Sequence, residues 1–182
     1  MKRTSYSRFL ARAAMTFLAA FCFLGVAKAQ KTLPYTYGFE NNDLAAEGWT
    51  TVNESTANAS EFGITAAAKR TGDYGFRFSS YTSDSSYDQY LISPELSAAS
   101  DVVVQFYYKV TASYGTETFK VGYSTTDTDI ASFTFGDEIT TNSTTWTQSE
   151  EFFFPAGTKY VAIYYYSEYQ YRLFVDDFSF TV

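Results

Sequence analysis

The 182-residue sequence contains no histidine, three prolines and a single cysteine, Cys22. Without imidazole there is no His general base, no Cys–His or Ser–His couple and no zinc site of mixed Cys and His ligands. One thiol cannot form an internal disulfide, so stability must come from apolar burial, for which a chain of this length suffices. Basic residues are also few, 13 against 20 acidic ones. With no basic stripe and a negative balance that repels phosphate, nucleic acid is excluded as a partner. Carboxylates, hydroxyls and aromatic rings remain as the available chemistry.

The start of the chain reads as a targeting segment. Lys2, Arg3, Arg8 and Arg12 precede an apolar run from Ala13 to Val26, and Ala27 and Ala29 give the A-x-A ending of a secretory signal. The run falls short of the ~20 apolar residues that a membrane span needs. Cys22 follows Phe21, where a lipoprotein signal would place a small residue. Residues 1–29 are thus expected to be a signal peptide and 30–182 a single secreted or surface-exposed domain, with no membrane span after cleavage. Cleavage would remove five basic residues, Cys22 and no acidic residue, leaving eight basic against 20 acidic side chains.

Aromatics are abundant, 17 Tyr, 18 Phe and two Trp, and most stand in runs of period two. In "DVVVQFYYKV", Val102, Val104, Phe106, Tyr108 and Val110 share one face, the pattern of a half-buried strand. "ETFKVGYST" repeats it with Phe119, Val121 and Tyr123, and "KYVAIYYYS" with Val161, Ile163 and Tyr165. Gly, Ser, Asn, Asp and Pro turn signals separate further short runs, and no mature segment sustains a helical period. About ten strands without βαβ alternation predict an all-β fold, an antiparallel two-sheet sandwich of jelly-roll type.

The closing run "LFVDDFSF" raises a problem of charge. An unpaired carboxylate inside a buried strand costs several kcal/mol, roughly, so Asp176 and Asp177 need a partner. Strand parity places Asp176 with Phe174, Phe178 and Phe180 in the apolar layer, and Asp177 with Val175 and Ser179 on the other face. A cation and a set of backbone amides from a neighbouring loop are both open as the neutralising partner.

Five segments in register, "YGFENNDLAAEGWTTVN", "DQYLISPEL", "VGYSTTDTD", "FPAGTKYVAIYYY" and "LFVDDFSF", resemble the cleaved-adhesin or choice-of-anchor J domains of the gingipain haemagglutinin-adhesin type. The resemblance covers nearly all of the mature chain. It implies a MAM-like, galactose-binding-like jelly roll, stabilised by calcium, that acts as an adhesion or glycan-binding module without a catalytic centre. In such folds the first and last strands pair, which would bring Glu40 and Asp43 to Asp176 and Asp177 as calcium ligands. One departure is "WTTVNESTANAS", where the family often carries an Asp-rich run; Asn53 and Glu54 stand there, and a solvated loop is expected.

Two other function classes need weighing. A β-sandwich glucanase wants acids at i, i+2 and i+5 of one strand; no E-x-D-x-x-E occurs, and Glu40, Asp43 and Glu47 are spaced for a turn or a short helix. Asp127 and Asp129 fall in the turn-like "STTDTD", so a secreted hydrolase is disfavoured. A surface-layer or fimbrial-type subunit would need an exposed strand edge, which nothing marks. Recognition of a glycan or an extracellular protein rests on tyrosine: Tyr81, Tyr87, Tyr114, Tyr164, Tyr166, Tyr169 and Tyr171 lie in loops or on polar parity, with Arg172 beside them. The run "YYYSEYQYR" is expected to be a hairpin with Ser167, Glu168 and Tyr169 at its tip.

Overall fold

The computed structural model describes residues 30–111 and 115–182; the expected signal peptide at 1–29 and Tyr114 lie outside the described residues. The strands in chain order are β1 (Lys31–Thr32), β2 (Tyr35–Tyr37), β3 (Thr50–Asn53), β4 (Gly63–Thr65), β5 (Gly75–Ser79), β6 (Gln89–Ile92), β7 (Leu96–Ser97) and β8 (Val102–Val110). They continue as β9 (Glu117–Ser124), β10 (Thr134–Phe135), β11 (Ile139–Thr141), β12 (Thr147–Gln148), β13 (Phe152–Phe154), β14 (Tyr160–Tyr165) and β15 (Arg172–Thr181). A four-residue helix α1 (Leu44–Glu47) follows Asp43, whose carboxylate accepts the Ala46 N–H at 3.0 Å as its N-cap.

Two antiparallel sheets face each other. One carries β10, β9, β14, β6 and β3 in that order with β11 also on β9; the other carries β12, β8, β15, β5 and β4, with β13 on β8 and β2 on β15. β1 and β7 add a short parallel pair. The alternation read from the sequence is what fills the space between them: Val102, Val104, Phe106 and Val110 from β8 meet Phe119 and Val121 from β9 and Val161, Ile163 and Tyr165 from β14. Phe39, Trp49 and Phe178 close one end, with Trp49 edge-on to Phe178 at 5.1 Å. The all-β, two-sheet expectation holds.

The parity expected for β15 does not. Opposite β8 the register slips between Asp176 and Ser179, and Asp177 sits at φ 50 in the left-handed region that Asp tolerates better than most side chains. This bulge reverses the alternation, so Leu173 and Val175 before it and Phe178 and Phe180 after it all enter the core. Asp176 therefore shares the outer side with Phe174, and is fully buried there under residues 70–71.

Two loops also differ from expectation. β14 belongs to one sheet and β15 to the other, so 166–171 is a crossover between sheets and not a hairpin. It is pinned from within: Tyr165 Oη donates to Glu117 Oε2 at 2.6 Å and accepts from Ser80 Oγ at 2.9 Å, and the Tyr171 N–H donates to Glu117 Oε1 at 2.8 Å. Ser55 and Asn58, expected in a solvated loop, are fully buried. Asn58 exchanges hydrogen bonds of 2.7 Å with the Thr82 backbone, and Asp84 accepts from Ser55 Oγ and the Ala57 N–H, so the two loops form a polar clasp.

Candidate functional site

The acidic residues near the chain ends meet because β2 pairs with β15, Tyr37 opposite Phe178. Asp176 Oδ2 accepts the N–H groups of Arg70 at 2.7 Å and Thr71 at 3.3 Å, and its Oδ1 accepts the Asp177 N–H at 2.8 Å. Arg70 Nη1 and Thr71 Oγ1 both reach Asp177 at 2.6 Å, while the Asp73 N–H donates to Glu40 Oε2 at 2.6 Å. The guanidinium of Arg70 also lies over the Tyr107 ring at 3.4 Å. Gly72 is required here: its φ is +59, and a Cβ would stand 2.1 Å from Glu40 Cδ. Burial pushes the Asp176 carboxyl up from its ordinary value to about 6, against the lowering effect of the Arg70 and Asp177 N–H groups.

Of the four residues expected around a cation, Asp43 serves the helix cap, while the other three turn an oxygen toward Gly38. A Cβ placed on that glycine would lie 3.4 Å from Asp177 Oδ1, 3.7 Å from Asp176 Oδ1 and 3.8 Å from Glu40 Oε1. As placed, no group of three or more His, Cys, Asp or Glu among the described residues is set to hold a metal ion. The amides and guanidinium of 70–73 are the neutralising partner that the geometry displays.

The tyrosines divide into two groups. On the outer face of the β9–β14–β6 sheet, Tyr164 stacks on Tyr90 with centroids 4.5 Å apart and planes at 8°, and Tyr166 follows at 4.8 Å. Phe135 from β10 packs against Tyr164 at 5.4 Å, making a row of rings where a polar face was expected. Two cavities of about 360 Å³ each flank Tyr166. Asp84, Tyr87, Asp88 and Tyr164 line the first, Thr118, Glu138 and Gln170 the second, and Tyr166 and Glu168 are common to both. They form a trough. Tyr164 Oη donates to Asp88 Oδ1 at 2.5 Å and Tyr166 Oη to Glu138 Oε2 at 2.6 Å. Burial and the adjacent carboxylates raise both phenol pKa values well above the usual tyrosine range.

The second group lies on the far side of the crossover. Tyr81 and Tyr171 meet edge-on at 5.1 Å, and the Arg172 guanidinium lies 5.0 and 4.4 Å from their centroids while its Nε donates to Glu61 at 2.8 Å. Tyr169 sits between the groups on the crossover, 64% exposed and at φ 48. Tyr169→Ala is therefore expected to leave the melting temperature within about a degree of wild type in a thermal scan, since an exposed ring contributes little.

Sequence reasoning named the rings but missed Asp88, Glu138, Tyr90 and Phe135. Asp88 and Tyr90 stood in the quoted segment "DQYLISPEL", but nothing local shows which face a strand presents. Glu138 joins only because β10 and β11 both fold back on β9.

A two-layer β-sandwich with a ring-lined trough on one sheet defines a binding module. The model of the Cleaved Adhesin Domain matches residues 31–180, and the chain belongs to that family. Such domains are non-catalytic binding domains of bacterial secreted or surface proteins, which agrees with the expected absence of an enzymatic centre. Among solved structures, the chain is similar to the K3 cleaved adhesin domain of Lys-gingipain from Porphyromonas gingivalis W83, at 23% identity and TM-score 0.68 over 81% of this chain and 97% of that one. The K2 domain of Lys-gingipain matches at 24% identity and TM-score 0.68, over 81% of this chain and 99% of that one. The same fold appears in TmCBM61, solved in complex with β-1,4-galactotriose, at 18% identity and TM-score 0.50 over 79% of this chain and 92% of that one. The CBM22-2 xylan-binding domain of Paenibacillus barcinonensis Xyn10C shares it at 14% identity and TM-score 0.53, over 81% and 98%. No curated protein sequence matches the chain significantly. Among the described residues no helix is long and apolar enough to cross a membrane.

Proposed function

We propose that the protein is exported by its N-terminal signal and serves as a glycan-recognition module of the adhesin type, with the trough around Tyr166 as its site. The observation that carries this reading is the row Tyr90, Tyr164 and Tyr166 beside Asp88 and Glu138. Flat rings offer the apolar faces of sugar rings a stacking surface, and carboxylates accept from sugar hydroxyls. Two neighbours of the same fold, one solved in complex with β-1,4-galactotriose and one a xylan-binding domain, support the choice of ligand class. A glycan array on the exported protein tests it: binding to at least one neutral oligosaccharide is expected, and a blank array on correctly folded protein overturns it.

The oxygens around Gly38 support a structural calcium ion as a further part of the reading. Each oxygen that faces Gly38 retains a free lone pair, and Thr71 Oγ1 stands beside them. Three carboxylates offset by Arg70 leave about two negative charges, which suits a divalent cation with oxygen ligands. In excess chelator the raised Asp176 pKa then sets the pH dependence. The folded state holds this proton more tightly than the unfolded chain, so stability falls as pH rises from about 4 through about 6. Calcium should remove that decline and raise the melting temperature by a few degrees at neutral pH. Identical melting curves with calcium and with chelator across this range would rule the ion out.

A further inference from the structure

We infer that the trough selects saccharides that bring hydrogen-bond donors, as hydroxyl or ammonium groups, and rejects those bearing carboxylate or sulfate; this rests on the glycan reading of the same site. The reason is where the trough's own hydrogens point. The Tyr164 hydroxyl is committed to Asp88 and the Tyr166 hydroxyl to Glu138. Ser86 Oγ donates to Asp88 Oδ2 at 3.3 Å and Ser85 Oγ to Asp84 Oδ1 at 3.4 Å. On the other side Ser167 Oγ turns to the Thr118 carbonyl, and Gln170 Nε2 to the Glu168 carbonyl at 3.1 Å.

With those hydrogens turned into the protein, the hydroxyls of Tyr87, Thr116 and Thr118 face a larger set of acceptors, the two committed phenol oxygens and the carboxylates of Asp84, Asp88, Glu138 and Glu168. An acceptor-rich wall is satisfied only by donors from the ligand. The cation packed against this row, Lys120, lies 5.6 Å from the Tyr166 centroid and does not line either cavity. An acidic sugar would therefore place its charge among four carboxylates with one lysine behind a ring, and repulsion at such short range is weakly screened.

The test pairs each neutral oligosaccharide on an array with its counterpart oxidised to a carboxylate at C6, using the exported protein at low salt. Oxidation is expected to weaken binding at least tenfold, and the gap should narrow in 0.5 M salt as screening shortens to roughly 4 Å. The Asp88→Asn and Glu138→Gln variants, checked for folding by circular dichroism, should narrow it further by gaining affinity for the oxidised partner. Equal binding of neutral and oxidised partners would overturn this inference and leave the glycan reading intact, as would a gap unchanged in both variants. Failure of every neutral saccharide to bind would overturn both.

Discussion

Asp176→Ala is expected to destabilise the fold by roughly 2–3 kcal/mol, read as a lower denaturant midpoint with the slope unchanged. The buried carboxylate receives the N–H groups of Arg70, Thr71 and Asp177, and its removal takes the acceptor from these part-buried donors. It also loosens the 70–73 segment, which would then be held to β15 by the contacts of Arg70 and Thr71 to Asp177 and to Glu40 through the Asp73 N–H. Asp176→Asn keeps the volume and one acceptor oxygen but turns an NH₂ toward donors, so an intermediate loss is expected. A change below 1 kcal/mol for the alanine variant would mean that water replaces the carboxylate and that the loop is not held as described.

Tyr166→Ala should weaken binding of the array ligand by about 30-fold while lowering the melting temperature less than Tyr164→Ala does, since the Tyr166 bond to Glu138 is exposed. The ring separates the two halves of the trough and is half-buried, so its loss removes stacking surface worth roughly 2 kcal/mol against a sugar. Tyr164→Ala should weaken binding by a similar factor but lower the melting temperature more, because it breaks the stack on Tyr90 and leaves Asp88 without its phenol donor. Tyr166→Phe separates ring from hydroxyl: stacking survives, and the affinity should stay within a few-fold of wild type. Isothermal titration with a ligand found on the array provides the comparison. Unchanged affinity in Tyr166→Ala would move the site elsewhere, with the Tyr81, Tyr171 and Arg172 patch the next surface to test.

What was legible in the sequence follows from which interactions are local. The long strands β8, β9 and β14 announce themselves by alternation, because residues two apart share a face whatever lies beyond the strand. The bulge in β15 is invisible to that rule. One extra residue reverses every later side chain, and only the register against β8 reveals it. The 166–171 segment resembled a hairpin because two strands flank a short polar stretch, and their assignment to different sheets depends on partners far away in sequence. The burial of Ser55 and Asn58 was hidden for a similar reason. Their composition is that of a loop, and Asp84 and the Thr82 backbone convert it into a buried clasp. For the candidate site, ring identities could be read but not their grouping, since Glu138 and Asp88 reach Tyr166 and Tyr164 across 28 and 76 residues of chain.

The antiparallel pairing of β2 with β15 brings the first and last strands of that sheet's chain path together at one pole. Tyr35 lies opposite Phe180, so the chain enters and leaves the sandwich side by side at one pole. Tyr166 follows the end of β14, and the crossover delivers the chain to Arg172 at the other end of β15. The ten residues of β15 span about 30 Å. A tether attached at either terminus would thus hold the pole at Tyr35 and Phe180 toward its anchor and project the trough outward, like the head of a pin. Neighbouring domains joined end to end would crowd the anchored pole and leave the outer one clear for large, branched or surface-bound polymers.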